Sequence, residues 1–332
     1  MTMRAFSSVL GFGALFLSTV FGTAFGASSN SSDDTVSTVF QLQDNGTWFE
    51  NLVVRQNGHL LATRIDVPEV WTIDPNADNV GSRLSTIPNT TSLLGITEIE
   101  QDVYAVVAGN FSIEKVQSTP GSYSIWTVDL SGAKANTPKT RLLTAIPEAE
   151  FLDGLIPFGK DLCLVSDAQK GAIWRVNVRT GEYSQALSHP NMAPADGQPV
   201  PVGVNGIKIR DNYVYYSTTT RQILARVPVD ENASAAGDVE DVVSGLIIDD
   251  FWLLEDGTAY LATNTLNSVV KVLPGGGVMV VAGNAFRTDV AGSTAVAMSW
   301  DQEVLYVTTA GAQVQPVMCQ TIEPAKIVAV RL

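Results

Sequence analysis

The sequence is poor in the side chains that most often carry acid–base, nucleophilic and metal chemistry. Its 332 residues include only two cysteines and two histidines. No G-x-S-x-G turn and no evident Ser-His-Asp set offers an activated serine. The cysteines and histidines also lack the close spacing of a zinc site. These absences argue against the common serine hydrolases and against a zinc enzyme.

Positive charge is scarce as well. The chain carries 20 Lys and Arg residues against 34 Asp and Glu residues, which gives a net charge of −14. Proteins bind nucleic acids mainly through cationic side chains on the phosphates, so this balance argues against a nucleic-acid partner. The surplus of acid is adequately explained by solubility.

The two cysteines leave the question of a disulfide open. A bond between Cys163 and Cys319 is feasible in an oxidising compartment. Cys163, however, lies within the apolar run DLCLVSD, where a buried free thiol is equally compatible with the pattern.

Short β-rich phrases dominate the rest of the chain, and no sustained helical period follows the N-terminal segment. Hydrophobic residues make up 45% of the sequence and charged residues 16%. Units of roughly 40 residues recur, a period typical of propellers. The second strands of the units read LLATR, VYAVVAG, LCLVSD, VYYSTT, AYLATN and LYVTTA, and the third strands read VWTID, IWTVDL, IWRVNV, ILARVPV, VVKVL and IVAVRL. The sequence therefore predicts an all-β, six-bladed β-propeller that forms a single domain over residues 27–332.

The predicted blades account for nearly every strand-like run. They span Glu50–Pro88, Ser92–Pro147, Phe151–Ser188, Val202–Ser244, Leu246–Gly283 and Val290–Leu332. The sixth blade has no outer strand, because the chain ends at Ile327–Leu332, whereas Val36–Leu42 has no blade of its own. Pairing of these two terminal strands would close the ring and remove an exposed edge.

Residues 1–26 have the character of a secretory signal peptide. Arg4 precedes an apolar run from Val9 to Phe25, and small residues allow cleavage before Ala27. The run is short for a membrane anchor. Glycosylation sequons begin at Asn30, Asn45, Asn89, Asn110 and Asn232. We therefore expect a glycoprotein of the secretory pathway, with no membrane attachment once the leader is removed.

Two insertions interrupt the repeat, both between the second and third strands of a blade. They are Gly109–Ser124 in the second blade and Gly311–Ala325 in the sixth. In a propeller these loops lie at the same end as the starts of the innermost strands. Long loops in compact domains are often functional, so we expect a lid over the channel, with neutral surface decoration as the alternative.

Polar residues also cluster at the predicted starts of the innermost strands. These starts are Glu50-Asn51, Gly95-Ile96, Asp153-Gly154, Asn205-Gly206, Asp249-Asp250 and Thr294-Ala295. Polar groups that converge at the mouth of a channel indicate a binding site. The alternative is that they cap strand ends and face water.

The pattern of innermost strands resembles the senescence-marker-protein/gluconolactonase superfamily. Glu50, Asn205 and Asp249 match the Glu, Asn and Asp that hold a divalent cation, usually calcium, in that family. The resemblance therefore implies a calcium site at these residues, whose oxygen ligands suit the ion. The sequence departs from the family where Leu152-Asp153 replaces a further Asn and where Asn51-Leu52 follows the Glu.

Longer phrases resemble secreted fungal propellers over nearly the whole mature chain. They are WFENLVVRQNGHLLATR, VNGIKI and IDDFWLLEDGTAYLATN. Some such proteins are encoded with natural-product pathways, and one group acts as hetero-Diels–Alderases that join a tropolone o-quinone methide to a humulene-type alkene. The resemblance thus implies a pericyclase of meroterpenoid biosynthesis that acts on small hydrophobic substrates and requires no cofactor. Such a reaction gains mainly from holding two partners in near-attack geometry.

The candidate site residues follow from the strand starts and from the aromatic residues near them. The catalytic candidates are Glu50, Asn205, Asp249 and Asp250, and the substrate-binding candidates are Phe49, Phe111, Phe151, Trp252 and Phe286. Two other functions stay open: a calcium-dependent lactonase or esterase, which needs the three ligands to converge on an ion, and a non-enzymatic binding propeller, which predicts a shallow or plugged mouth.

Overall fold

The computed structural model describes residues 35–132 and 137–332, and it confirms the six-bladed propeller. The predicted signal peptide at residues 1–26 and the sequon at Asn30 lie outside the described residues. Within the described ranges, no helix has the length and apolar character needed to span a membrane.

Each blade is a four-stranded antiparallel sheet. The first strand, β1 (Val36–Gln41), belongs to the last blade. Blade 1 comprises β2 (Phe49–Val54), β3 (Leu60–Arg64), β4 (Glu69–Asp74) and β5 (Val80–Thr86). Blade 2 comprises β6 (Ser92–Glu100), β7 (Val103–Gly109), β10 (Ser124–Asp129) and β11 (Lys139–Ala145), and its insertion forms the small hairpin β8 (Phe111–Ser112) and β9 (Gln117–Ser118).

The remaining blades repeat this order. Blade 3 comprises β12 (Leu152–Phe158), β13 (Leu162–Asp167), β14 (Ala172–Asn177) and β15 (Tyr183–Ser188). Blade 4 comprises β16 (Val204–Arg210), β17 (Tyr213–Thr218), β18 (Ile223–Pro228) and β19 (Glu240–Ser244). Blade 5 comprises β20 (Phe251–Leu253), β21 (Ala259–Thr263), β22 (Ser268–Val272) and β23 (Val278–Gly283). Blade 6 comprises β24 (Ser293–Met298), β25 (Val304–Thr309) and β26 (Lys326–Arg331), with β1 as its outer strand.

The two terminal strands close the ring, as the strand count predicts. β1 pairs antiparallel with β26, with Val36 opposite Val330 and Gln41 opposite Lys326. The second strands of the blades are almost wholly buried, as in β3 and β21. The apolar runs that define the repeat therefore form the packing between neighbouring blades.

The innermost strands share one irregularity, a β-bulge near the start. In blade 1, Phe49 lies opposite Arg64 while Leu52 lies opposite Ala62, so two residues of β2 face one residue of β3. Blades 2, 3, 4 and 6 have the same register shift. In blade 5, Asp249 N donates to Ala262 O and Ala262 N donates to Asp250 O, both at 2.9 Å, which gives the same two-to-one arrangement.

The bulges define equivalent residue pairs around the ring. The pairs are Glu50-Asn51, Leu94-Gly95, Asp153-Gly154, Asn205-Gly206, Asp249-Asp250 and Thr294-Ala295. Five of these match the predicted strand starts. The predicted pair Gly95-Ile96 is wrong by one residue, because Leu93 pairs with Ala108 and Ile96 pairs with Val106.

The two cysteines are both free. Cys163 is buried in β13 of blade 3, and Cys319 is exposed in the insertion of blade 6. These blades are three positions apart in a ring of six, which explains why the two thiols do not meet.

Candidate active site

The bulges direct consecutive side chains toward opposite ends of the channel. A bulge places two residues where a regular strand has one, and so re-aims their side chains. Asp249 accepts a hydrogen bond from Asn264, which lies in the loop between the second and third strands of blade 5. Its neighbour Asp250 contacts Lys208 and lines a cavity in the other half of the channel.

Hydroxyl groups on the second strands hold the bulges of neighbouring blades together. Thr63 Oγ1 donates to Leu94 O at 2.5 Å, from blade 1 to blade 2. Ser166 and Ser217 make the equivalent bonds, to Asn205 O at 2.5 Å and to Asp249 O at 2.7 Å. These hydroxyls occupy the same register position in their blades, and they fix the ring at the level where its polar side chains converge.

On the insertion side of the bulges, the first residues of four pairs form a buried polar group that we call the upper cluster. Its members are Glu50, Asp153, Asn205 and Asp249, all between 3% and 7% exposed. Asn205 Nδ2 donates to Asp249 Oδ1, and Asn264 Nδ2 donates to Asp249 Oδ2, both at 2.8 Å. Trp48 Nε1 donates to Glu50 Oε2 at 2.6 Å. The predicted residues Glu50, Asn205 and Asp249 are thus brought together.

The three acids of the upper cluster lie on alternate blades, 1, 3 and 5, and hold their protons unusually strongly. Burial, followed by repulsion from Asp249 and Asp153, raises the pKa of Glu50 well above its usual range. Burial and the charges of Asp249 and Asp250 likewise raise the pKa of Asp153. Burial raises the pKa of Asp249 to about 7, against the opposing effect of its two amide donors. Within the described residues, none of the three forms an ion pair.

The upper cluster has the donor chemistry of a calcium site but not a finished coordination shell. Carboxylate and amide oxygens suit a hard divalent cation, and a cation would offset the crowding of negative charge. Both oxygens of Asp249 and one oxygen of Glu50 already accept hydrogen bonds. Across residues 35–132 and 137–332, no three Asp, Glu, His or Cys side chains are arranged around a common metal position.

On the other side of the bulges lies a cavity of about 460 Å³, which occupies the central channel. All six innermost strands contribute to its wall. The lining residues are Asn51, Leu52, Val53, Val54, Ile96, Thr97, Glu98, Leu155, Ile156, Pro157, Lys208, Ile209, Asp250, Trp252, Leu253, Val296, Met298, Ser299, Trp300 and Gln302. Most of this wall is apolar, and the volume lies in the range of about 300–1,000 Å³ typical of small-molecule sites.

Three side chains give the cavity a polar inner end. Lys208 Nζ lies 2.6 Å from Asp250 Oδ1, and Asn51 Nδ2 donates to Asp250 Oδ2 at 3.2 Å. The backbone of Phe251 also donates to Asp250 Oδ1, at 2.7 Å. Gly206 makes this arrangement possible, because a Cβ there would lie 2.2 Å from Asp250 Oδ1 and 2.8 Å from Asp250 Cα.

The cavity opens at the end of the propeller opposite to the insertions. Ser299, Trp300 and Gln302 belong to the turn after β24, and Trp300 Nε1 donates to Arg55 O at 2.9 Å in the corresponding turn of blade 1. Arg55 in turn pairs with Asp102 of blade 2 at 2.7 Å. This chain of contacts joins three blades at the rim.

The two insertions lie at the upper-cluster end, as their position in the repeat predicts. Ser118 Oγ donates to Glu150 O at 2.9 Å, just before β12. Ala325 N donates to Thr47 Oγ1 at 2.9 Å, just before β2. Neither insertion contributes a residue to the cavity wall. The expected lid therefore does not cover this cavity, because the tightly packed bulges and the buried side chains above them lie between.

The aromatic candidates occupy four different environments. Trp252 lines the cavity. Phe49 is fully buried and packs edge-on against Phe40 and Trp71 in the core. Phe111, in the hairpin of the first insertion, stacks on Phe151 with ring centroids 5.3 Å apart. Phe286 is 73% exposed, in the loop between β23 and β24. The structure thus brings Trp252, but not the other four, to the cavity.

Sequence reasoning missed Lys208 and Trp300. The position of Lys208 is equivalent to Val53, Thr97, Ile156, Trp252 and Ala297 in the other blades. A lone charge at a position that is otherwise mostly apolar is the signal that could have identified it. Trp300 lies beside the turn residues Asp301-Gln302, and its contact across the blade boundary has no counterpart in the sequence pattern.

Known proteins resemble the chain in sequence and in fold. No family model matches the chain. Two curated relatives, from a Phoma species and from Sarocladium schorii, are each named "Putative hetero-Diels-Alderase". The first is 30% identical over 213 residues, covering 56% of this chain and 59% of the relative; the second is 25% identical over 291 residues, covering 77% and 72%. The chain thus spans less than two thirds of the first relative's length. The resemblance to fungal hetero-Diels–Alderases that was inferred from the sequence is confirmed.

Solved structures support the fold. A luciferin-regenerating enzyme superposes with a TM-score of 0.65 at 12% identity, covering 90% of this chain and 95% of its own. A gluconolactonase from Xanthomonas campestris gives 0.59 at 11% identity, covering 90% and 89%. Regucalcin, a calcium-binding protein from Agrobacterium tumefaciens, gives 0.56 at 14% identity, covering 89% and 96%. At these identities the likeness extends to the propeller fold alone.

Proposed function

We propose that the protein is a hetero-Diels–Alderase-type pericyclase that joins two small hydrophobic partners inside the central cavity. The observation that carries the proposal is the cavity itself, with about 460 Å³ of mostly apolar space and a polar group at its inner end. The names of the two curated relatives support the same class of reaction.

The reaction matches the chemistry that the cavity offers. In a hetero-Diels–Alder addition, the terminal carbon and the oxygen of a conjugated C=C–C=O unit bond to the two carbons of an alkene. Two σ bonds form, three π bonds become one C=C bond, and no atom or proton is gained or lost. The protein needs mainly to bring the partners together, and positioning alone is worth about 7–11 kcal/mol in favourable cases.

For the substrates we propose a tropolone o-quinone methide and a humulene-type alkene, as the resemblance to fungal propellers implies. Val53, Ile156 and Val296 contribute apolar wall on different blades, against which a hydrocarbon ring can pack. Exclusion of water from such a chamber also protects a reactive quinone methide from addition of water. Action in the secretory pathway, with removal of residues 1–26, is part of the same proposal.

The test is the rate and stereochemistry of the cycloaddition when an o-quinone methide is generated beside humulene, with and without the purified protein. Ile156→Trp fills part of the cavity and should abolish the acceleration. Leu142→Trp, on the outer strand β11 where Leu142 is 45% exposed, is the matched control and should leave it intact. Identical product ratios with and without the wild-type protein would disprove the proposal.

The upper cluster favours a second candidate, a calcium-dependent lactonase or esterase. Glu50, Asn205 and Asp249 would hold the ion, with Asp153 close by. When bound, the ion would act as a Lewis acid on an ester carbonyl. Hydrolysis of a lactone that is lost both on chelation and in Glu50→Gln would favour this candidate over the pericyclase.

A further inference from the structure

The strongest unassigned feature of the cavity is Lys208. Among the described residues that line the cavity, it is the single cationic side chain. Its side chain is 18% exposed and extends from an innermost strand whose neighbouring residues Ile207 and Ile209 are apolar. Burial of an ammonium group in such a place is costly unless the charge is paired and hydrogen-bonded.

Lys208 is held in place from two directions. Asp250, which is itself 5% exposed, lies 2.6 Å from its Nζ atom. The Phe251 ring lies 5.2 Å from the same atom, within cation–π distance. Asp250 is fixed in turn by Asn51 and by the backbone of Phe251. The ammonium group is therefore oriented by side chains that are themselves constrained.

The ammonium group of Lys208 also has N–H donors that are available to a ligand. A lysine carries three N–H donors, and within the described residues Lys208 Nζ makes one hydrogen bond, to Asp250. The rest of the group borders a cavity whose walls are mostly apolar. A ligand with one oxygen-rich end and one hydrocarbon end would match this division.

From this geometry we propose that Lys208 is a catalytic residue that donates a hydrogen bond to the carbonyl oxygen of the heterodiene, with Asp250 and Gly206 as positioning residues. The inference rests on the proposed function and adds the group that orients and activates the substrate. A hydrogen bond to that oxygen withdraws electron density from the conjugated unit, which makes it a better partner for an electron-rich alkene. Because the ammonium is already fixed by Asp250, it needs no reorganisation as the reaction proceeds.

The same bond provides for release of the product. During the addition, the carbonyl oxygen becomes an ether oxygen bonded to a former alkene carbon, and no proton leaves Lys208. An ether is a weaker hydrogen-bond acceptor than a conjugated carbonyl. Lys208 therefore binds the heterodiene more strongly than the product, which favours release of the product.

The first experiment measures binding of tropolone, used as a stable probe with a conjugated carbonyl, by its absorbance shift on titration with protein. Lys208→Met should weaken binding by about 10- to 100-fold, the effect of losing one hydrogen bond to a charged group. Lys208→Arg should retain the spectral shift, because a donor remains. Lys160→Met, an exposed lysine in the turn after β12, is the matched control and should bind like the wild type.

Lys208→Met leaves Asp250 buried without its partner, so the variant could fail to fold. The double variant Lys208→Met/Asp250→Asn removes both charges and keeps one side-chain oxygen, which can still accept the hydrogen bond from the Phe251 backbone. If the folded double variant binds tropolone as tightly as the wild type, with the same shift, the proposal is overturned.

The second experiment measures the rate of cycloaddition at saturating substrate. A loss of about 10- to 100-fold in Lys208→Met or in the double variant, with partial recovery in Lys208→Arg, supports the proposal. If the variants accelerate the reaction as well as the wild type does, Lys208 has no catalytic role although the proposed function stands. If the wild type gives no acceleration, the proposed function fails and so does the catalytic role, and Lys208-dependent tropolone binding would then identify an oxygen-binding site alone.

Discussion

The upper cluster predicts that the protein becomes less stable as the pH rises from about 4 to about 7. The pKa of Asp249 is raised from 3.8 to about 7, and those of Glu50 and Asp153 are also raised. Between the unfolded and folded pKa values, the folded protein binds more protons than the unfolded chain does. The stabilisation is therefore complete below pH 3.8 and is lost as the pH rises through about 7.

The magnitude can be worked out for Asp249. A change in pKa from 3.8 to about 7 is roughly 3 pH units, and at about 1.4 kcal/mol per unit it corresponds to about 4 kcal/mol. The exposed acids Asp129, Asp256 and Asp301 have lowered pKa values. The stability that these three acids contribute is lost only as the pH falls below about 3.8. This change lies outside the range of the experiment, so it does not mask the effect of Asp249.

The assay is urea denaturation at a series of pH values between about 4 and about 8, in the presence of a chelator. The free energy of unfolding should fall with pH in the wild-type protein. Asp249→Asn should flatten this slope while adding a pH-independent loss, because one of its two amide hydrogen bonds is removed. Asp44→Asn removes the same charge from an exposed position and should leave the slope unchanged.

Two results would refute the reasoning. One is a wild-type free energy of unfolding that stays constant or rises over this pH range. The other is an equal flattening in Asp249→Asn and Asp44→Asn, which would assign the effect to net charge rather than to burial of the upper cluster.

Three further predictions follow from other parts of the site. Gly206→Ala should lower the free energy of unfolding by about 1–3 kcal/mol, because the new methyl group meets the Asp250 backbone, whereas Gly275→Ala, with open space around it, should be near neutral in the same denaturation assay. Calcium at about 100 times its Kd should stabilise the wild type by about 2.7 kcal/mol at neutral pH if the upper cluster binds it, and Glu50→Gln should abolish that gain in a thermal shift measurement. Trp300→Ala should raise KM for the hydrophobic substrate with little change in melting temperature, since its side chain lines the cavity rim but is 65% exposed; an unchanged KM would remove Trp300 from the site.

The fold could be read from the sequence because its signal is repeated. Each blade has a similar apolar second strand. One such run could arise by chance, but six at a regular spacing indicate a repeated structural unit. Closure through the run Val36–Leu42 was also predictable, since this run had no blade of its own and the sixth blade lacked an outer strand; the structure confirms it with β1. The predicted pair in the second blade was wrong by one residue. The position of a bulge depends on which residues pair across the two strands, and the residue types around Gly95 do not show this.

The candidate site was only partly predictable. The polar pairs identified the level of the channel where chemistry could occur, but not that Asp249 and Asp250 face opposite ends of it. That separation arises from a backbone irregularity and has no marker in residue type. Lys208 was overlooked because one lysine in an alternating strand usually faces water, and here its partner is 42 residues away on another blade.

The pairing of β1 with β26 has a consequence for how the protein is made. Val36 and its partner Val330 are separated in sequence by all the other strands of the propeller. Their pairing is therefore a contact of very high sequence separation, and the ring can close only when both strands have been synthesised. Completion of the cavity, whose wall includes the last blade, thus depends on this contact, and loss of β26 would leave an open ring and an unpaired sheet edge.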